Sequence, residues 1–247
     1  MNQPAFEVLR REAQGPFVIL CDHASNHIPP ELNALGLDPP DVARHIAWDI
    51  GAAGVVRELS NLLDSAAILC GTSRLVVDCN RHPGAVDLIP EISDGTSIPG
   101  NQNLPAPAMQ SRIERWFTPY HDEIEALLAG GSPFVLSIHS MTPVLGGVPR
   151  PWQISLSSHT DRSVVDPLLA ALRRPGNIAV GDNQPYDLDP SFDYSIPFHA
   201  MHHNLRYLQI EFRQDEITDA KGQAAWAQRL AAALSCVLPI SLRSGAA

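Results

Sequence analysis

Short runs of apolar residues alternate along the chain with longer segments of helical periodicity. Short apolar runs between turn signals are typical of buried strands. They predict strands at 17–21, 66–70, 74–78, 134–139, 152–156, 177–180 and 207–212. Helical periodicity predicts helices at 39–63, 106–128, 161–172 and 215–237, and Pro119 is expected to kink or split the second of these.

The alternation of strands and helices indicates an α/β fold. We expect a single domain over residues 1–247, built on a mixed, largely parallel twisted sheet flanked by helices on both faces. Residues 1–14 are polar and are expected to pack on the surface as a leader. Two long irregular segments, 84–107 and 182–197, interrupt the pattern, and loops of this length are often lids or binding loops.

Composition and charge narrow the possible classes of function. The net charge of −10 and the absence of any Lys/Arg run argue against a nucleic-acid partner. No apolar run reaches the roughly 20 residues that span a bilayer, and the N-terminal residues lack the pattern of a signal peptide. We therefore expect a soluble, cytoplasmic protein with no membrane partner. The four cysteines form no C-x-x-C pair and are interpreted as reduced, buried residues.

Three of the predicted strands carry an ionisable side chain at or near their end. His23 follows the strand 17–21, His139 ends the strand 134–139, and Glu211 lies near the end of 207–212. Strand ends of an α/β sheet are where such folds place their chemistry.

Two imidazoles and one carboxylate are a common catalytic zinc set, with a fourth position left open for water. The spacing leaves the third ligand open among Asp22, Asp49 and Asp78, with Asn26 as a neutral alternative. A carboxylate that is not bound to the metal is needed as general base, and Glu211 suits this role. We interpret the histidines at 82, 121, 159 and 203 as solvated or hydrogen-bonded residues. His27 and His45 are either surface residues, which we favour, or hydrogen-bond partners of the metal ligands.

Five ordered motifs, spread over residues 15–235, resemble those of the N-formylglutamate amidohydrolase family. That family is similar in fold to the zinc carboxypeptidases, the aspartoacylase-type deacylases and the zinc-dependent muramoyl amidases. The motifs are Cys21-Asp22-His23-Ala24-Ser25-Asn26, Trp48-Asp49-Ile50-Gly51-Ala52, Ser73-Arg74-Leu75-Val76-Val77-Asp78-Cys79-Asn80-Arg81, Ser137-Ile138-His139-Ser140 and Gln209-Ile210-Glu211-Phe212-Arg213-Gln214-Asp215.

The resemblance implies Zn²⁺, or another divalent metal, bound at His23 and His139. For the third ligand it favours Asp49, which matches the order in the muramoyl amidases, over Asn26, which stands at the place of the carboxypeptidase glutamate. Glu211 corresponds to the catalytic glutamate of these relatives. Asn80 and Arg81 resemble the Asn-Arg pair with which carboxypeptidases and aspartoacylases hold a substrate carboxylate.

Further candidates surround this set. Arg74 and Arg213 are expected either to hold a second carboxylate or the oxyanion, or to form ion pairs with neighbouring carboxylates. Ser140 follows the second histidine, and Tyr194 and His199 are candidate donors to the tetrahedral intermediate.

The expected activity is hydrolysis of the N-acyl amide bond of an acidic N-acyl amino acid. Conversion of N-formylglutamate to formate and glutamate is the reference reaction, and the expected partner is a small anionic substrate. Two alternatives remain open: an amidase for a larger N-acyl or peptidoglycan-like substrate, and a metal-free protein that binds a small ligand on the same fold.

Overall fold

The fold is built around one seven-stranded sheet, described here from a computed structural model that covers residues 3–129, 131 and 133–238. Four further short strands form two separate hairpins. In chain order the strands are β1 (Phe6–Leu9), β2 (Phe17–Cys21), β3 (Ala66–Cys70), β4 (Ile92–Ser93), β5 (Thr96–Ser97), β6 (Phe134–Met141), β7 (Val144–Leu145), β8 (Val148–Pro149), β9 (Ile154–Ser157), β10 (Val180–Asp182) and β11 (Tyr207–Arg213).

The strands of the large sheet lie in the order β1-β3-β2-β6-β11-β9-β10. Strands β3, β2, β6 and β11 run parallel to one another, so their carboxyl ends meet at one edge. Within this sheet, β1 joins β3 and β9 joins β11 by antiparallel pairing. The mixed, largely parallel sheet predicted from the sequence is confirmed.

Helices cover both faces of this sheet. Alternate residues of β2 point to opposite sides, so Ile19 packs in one core with three helices and Leu20 packs in a second core with the helix Thr118–Leu128 and several buried loops. The helices are α1 (Pro39–Val42), α2 (Ala52–Leu62), α3 (Ala106–Arg112), α4 (Thr118–Leu128), α5 (Val165–Arg173) and α6 (Ala220–Val237), of which α2, α5 and α6 share the first face. A π-helical segment, Ile113–Phe117, joins α3 to α4 just before Pro119.

Three local predictions were wrong. The predicted helix 39–63 is split into α1 and α2, and residues 43–51 instead carry Asp49 to the sheet edge, where its backbone N–H donates to the His23 carbonyl at 2.9 Å. His45 and Asp49 therefore do not share a helical face. The segment 74–78 is a buried turn rather than a strand, and Phe6–Leu9 of the expected surface leader pairs with β3 as an edge strand. Residues 1 and 2 of that leader lie outside the described residues.

Gly51 makes the sharp turn into α2 possible. Its φ of +84° lies in the left-handed region, and an added Cβ would sit 2.1 Å from the Ile217 carbonyl oxygen. We predict that Gly51→Ala lowers the free energy of unfolding by about 3 kcal/mol, because it combines backbone strain with a clash against backbone.

Gly54→Ala is the matched control for this prediction. Its added Cβ would meet the side-chain end of Gln223, which can move, and alanine favours the helix by about 1 kcal/mol. Urea unfolding gives the free energy of unfolding of both variants. The prediction would be contradicted if Gly51→Ala lowered this free energy by no more than Gly54→Ala does.

Among the helices within the described residues, none has both the length and the apolar character required to cross a membrane.

Candidate active site

Parallel strands bring the predicted site residues to one edge of the sheet. Asp22 and His23 follow β2, and His139 and Glu211 lie near the carboxyl ends of β6 and β11. His139 and Glu211 are direct partners in the pairing of those two strands, so their side chains emerge side by side. Asp49 reaches the same place from the segment before α2.

His23, Asp49 and His139 form a buried cluster with the donor atoms of a metal site. One ligand atom from each lies within 4.8 Å of the other two. The Asp49 Oδ2 atom lies 2.9 Å from His139 Nδ1 and 3.4 Å from His23 Nδ1. Two imidazoles and a carboxylate are a donor set suited to zinc.

Both imidazoles are held from behind by further polar groups. The His23 Nε2 atom lies 2.7 Å from Asp78 Oδ1, and the His139 Nε2 atom lies 2.9 Å from Ser137 Oγ and 3.5 Å from Asp22 Oδ2. If each Nε2–H donates outward, each Nδ1 lone pair faces the Asp49 carboxylate. Acceptors that face one another in this way require a shared proton or a cation, and metal-bound histidines show the same outward hydrogen bond.

The buried charges around this cluster also fit a divalent cation. Hydrogen bonds and nearby histidines hold the pKa of Asp22 at about 2 despite its burial, and the pKa values of Asp49 and Asp78 are likewise lowered. With neutral imidazoles, these three carboxylates and the Arg74 guanidinium leave two uncompensated negative charges. Burial of such charge is costly unless a cation balances it.

Protonation can supply that balance when no cation is bound. Burial lowers the pKa of His139, but hydrogen bonds to Asp22 and Asp49 outweigh it and raise the pKa well above its usual value. For His23, burial and Arg74 lower the pKa, yet Asp78 and Asp49 raise it overall. Metal ligands must be deprotonated, so binding would release these protons.

Among the buried carboxylates that the structure describes, Glu211 differs because one of its oxygens has no hydrogen-bond partner. Its Oε2 atom is buried and accepts no hydrogen bond from any described residue. Burial, reinforced by Asp49 and opposed by His139, raises the pKa of Glu211 to about 7. A carboxyl group of this kind can both accept and donate a proton near neutral pH.

A cavity of about 550 Å³ opens in front of the cluster. Three arginines line it: Arg74, Arg81 and Arg150. Arg74 is paired with Asp78 at 2.8 Å and with Asp49 at 3.5 Å. Arg213 is not among the lining residues, because its guanidinium is turned toward Asp215 and Glu216.

Arg81 and Asn80 lie in the cavity wall. The Arg81 guanidinium lies 3.6 Å from the Phe192 ring centroid, and its Nε atom donates to Asp87. The Asn80 side chain donates to Asp193 and accepts from the backbone N–H groups of Tyr194 and Ser195. Asn80 thus fixes the loop that carries Phe192.

Of the remaining candidates, Ser140 alone lines the cavity in the part of the chain that the structure describes. Ser140 lines the cavity and donates its backbone N–H to Asp49. Asn26 donates to the Val42 carbonyl, away from the histidines. Tyr194 and His199 are not in the cavity lining within the part of the chain that the structure describes; His199 is fully buried and hydrogen-bonded to His121 at 2.8 Å.

Two features of the site differ from the sequence interpretation. Asp22 and Asp78, considered there as metal ligands, instead support the imidazoles from behind. Arg150, together with Tyr186, lines the cavity from loops whose Gly- and Pro-rich sequences carry no local signal for a site.

The chain is similar to proteins of known structure. A gene product of Agrobacterium tumefaciens has 32% sequence identity over 96% of this chain and 95% of its own, with a TM-score of 0.91. An N-formylglutamate amidohydrolase from Ralstonia eutropha JMP134 shares the fold at 17% identity, with a TM-score of 0.64 over 94% of this chain and 96% of its own. No protein of curated function matches the chain.

The family model of the N-formylglutamate amidohydrolases matches residues 15–218, which include His23, Asp49, His139 and Glu211. The match extends over most of the chain and includes both the strand that precedes the first histidine and the strand that carries the glutamate. The chain therefore belongs to the N-formylglutamate amidohydrolase family.

Proposed function

We propose that this protein is a zinc-dependent amidohydrolase that cleaves the N-acyl amide bond of an acidic amino acid. N-formylglutamate, giving formate and glutamate, is the reference substrate. The observation that carries the proposal is the convergence of His23, Asp49 and His139 beside the buried carboxylate of Glu211, whose Oε2 atom has no hydrogen-bond partner among the described residues. This arrangement combines a metal-ligand set with a separate general base.

The chain's own groups divide the reaction between them. A zinc ion held by the two histidines and Asp49 would supply Lewis acidity and lower the pKa of water to about 7. Glu211 takes the proton of the attacking water and passes it to the nitrogen of the leaving amine. Asp78 and Asp22 keep the two imidazoles oriented with Nδ1 toward the cluster centre.

Arg81 is the proposed contact for the α-carboxylate of the substrate. Its Nε and Nη1 atoms donate to Asp87 and to the Asn80 carbonyl, while no hydrogen bond from its Nη2 atom to any described residue is found. Stacking on Phe192 holds the guanidinium plane in the cavity wall. One free terminal nitrogen gives a directed contact to a carboxylate oxygen.

A larger N-acyl substrate is the second candidate. The cavity volume of about 550 Å³ lies in the range typical of drug-sized ligands and exceeds the needs of a formyl group. The exposed rings of Tyr186 and Phe192 at its wall could cover an apolar acyl chain.

Zinc content and a substrate series test the proposal together. We expect about one zinc per chain after gentle purification, together with amine release from N-formylglutamate. Release from the N-acetyl or N-succinyl amino acid at a higher kcat/KM would favour the second candidate. A folded protein that holds less than a few tenths of an equivalent of metal and releases no amine would contradict the enzyme proposal.

A further inference from the structure

Arg150 presents a buried guanidinium to the active-site cavity, and no carboxylate of the described residues is paired with it. The residue is only 8% exposed, yet it lines the cavity. Its Nη2 atom donates to the Tyr186 hydroxyl at 2.6 Å, and its Nη1 atom donates to Thr142 Oγ1 at 3.4 Å. Across the described residues, no acidic side chain forms an ion pair with it.

The other two cavity arginines each form an ion pair with a carboxylate of the chain. Arg74 is paired with Asp78 and Asp49, and Arg81 is paired with Asp87. Arg150 has only neutral acceptors, so three of its five N–H groups have no protein acceptor in the parts of the chain described. A buried cation with neutral partners is costly, and an anionic ligand would balance it.

The backbone of Arg150 is fixed to the strands that carry the reacting groups. Its N–H donates to the Pro143 carbonyl at 2.8 Å, just beyond β6, and its carbonyl accepts from Arg213 Nη1 at 3.2 Å, at the end of β11. Those strands carry His139 and Glu211. The backbone of Arg150 is therefore fixed relative to His139 and Glu211, while Tyr186 and Thr142 orient its guanidinium, as a specificity contact requires.

We propose that Arg150, oriented by Tyr186, is the subsite for the side-chain carboxylate of the substrate. The inference rests on the proposed function and deepens it, because it assigns the preference for acidic amino acids to one side chain. The planar guanidinium matches the geometry of a carboxylate and forms charge-assisted hydrogen bonds with it. The Tyr186 ring, whose centroid lies 4.9 Å from the Arg150 guanidinium carbon, covers the cation.

A pair of substrates that differ only in this charge isolates the contact. N-formylglutamate and N-formylglutamine have the same shape, but only the first carries a side-chain carboxylate. We expect wild-type kcat/KM to favour N-formylglutamate, and Arg150→Gln to reduce that preference by about 10- to 100-fold, the usual effect of losing hydrogen bonds to a charged group. Arg150→Lys keeps the positive charge but lacks the planar guanidinium, so its preference for N-formylglutamate should lie between those of the wild type and Arg150→Gln.

The matched control is Arg115→Gln, which removes an arginine that stands outside the cavity lining and pairs with Glu31. Its preference should equal that of the wild type. Tyr186→Phe provides a second variant at a half-exposed position and should reduce the preference about 3- to 10-fold, the loss expected of one ordinary hydrogen bond. If Arg150→Gln does not fold, the Tyr186→Phe variant tests the subsite in its place. An unchanged preference for N-formylglutamate in a folded Arg150→Gln or Tyr186→Phe variant would overturn the subsite.

Failure of the subsite can be distinguished from failure of the proposed function. If the wild type hydrolyses both substrates and Arg150→Gln alters both equally, the subsite is wrong and the amidohydrolase proposal stands. If the wild type hydrolyses neither, the proposed function is wrong, and calorimetric titration with glutarate then tests the subsite alone. Weaker glutarate binding by Arg150→Gln than by Arg115→Gln would support it, whereas equal binding, or no binding by the wild type, would overturn it.

Discussion

Replacing Glu211 by glutamine should lower kcat/KM by about 100- to 10,000-fold while the zinc content stays at the wild-type level. Glutamine keeps the size of the side chain but cannot accept the proton of the attacking water or return it to the amine. The proposed metal ligands His23, Asp49 and His139 are untouched by the change. Steady-state kinetics and elemental analysis of the same preparation measure both quantities.

Stability provides a third measurement on this variant. The buried Oε2 atom of Glu211 has no hydrogen-bond partner among the described residues, and burial raises the pKa of the group, so the native fold gains nothing from its charge. The free energy of unfolding of Glu211→Gln should therefore be no lower than that of the wild type. Glu58→Gln, at an exposed position on α2, is the matched control, and its kcat/KM should equal that of the wild type. Wild-type kcat/KM in Glu211→Gln would exclude Glu211 as the base.

Asp49→Ala should weaken zinc binding by at least about 100-fold, and activity should fall with it. The Asp49 Oδ2 atom is the acceptor that both imidazoles face, so its removal would take away a proposed ligand and one of the negative charges that would balance the cation. Competition with a chelator gives the affinity, and added zinc should partly restore turnover.

Asn26→Ala is the control that separates the two candidates for the third ligand. Asn26 donates its amide to the Val42 carbonyl, so its loss should leave zinc affinity within about threefold of the wild type. The reverse outcome, with zinc lost from Asn26→Ala and retained by Asp49→Ala, would move the third ligand to Asn26.

The placement of His23, His139 and Glu211 could be predicted from local sequence because each follows or ends an apolar run. A strand with both faces covered is apolar throughout, so a polar residue at its end marks the sheet edge. Parallel pairing of β2, β6 and β11 then brings the three ends together. The prediction required no knowledge of distant contacts.

The path of the chain around Asp49 could not be predicted in the same way. The apolar spacing from 42 to 63 is helical on both sides of the break, and only Gly51 hints at a turn. The decisive interactions are with distant residues: the Asp49 backbone donates to His23, and Gly51 packs against the Ile217 carbonyl. Tertiary contacts of this kind override local propensity.

The turn at 74–78 and the cavity position of Arg150 were missed for related reasons. Val76 and Val77 are buried in the core without pairing to a strand. A short apolar run does not distinguish a buried strand from a buried turn. The Arg150 guanidinium is held in the cavity wall by hydrogen bonds to Thr142 and to Tyr186, a residue 36 positions away. Such a contact leaves no periodic trace in the sequence.

The direct pairing of His139 with Glu211 sets a limit on how this sequence can change. Side chains alternate between the two faces of a strand, so one residue inserted between Tyr207 and Glu211 would turn the carboxylate to the opposite face. The same insertion in the loop before β11 would leave the pairing intact. Within this family, we therefore expect length variation to concentrate in loops such as 182–197, while the spacing along β6 and β11 stays constant.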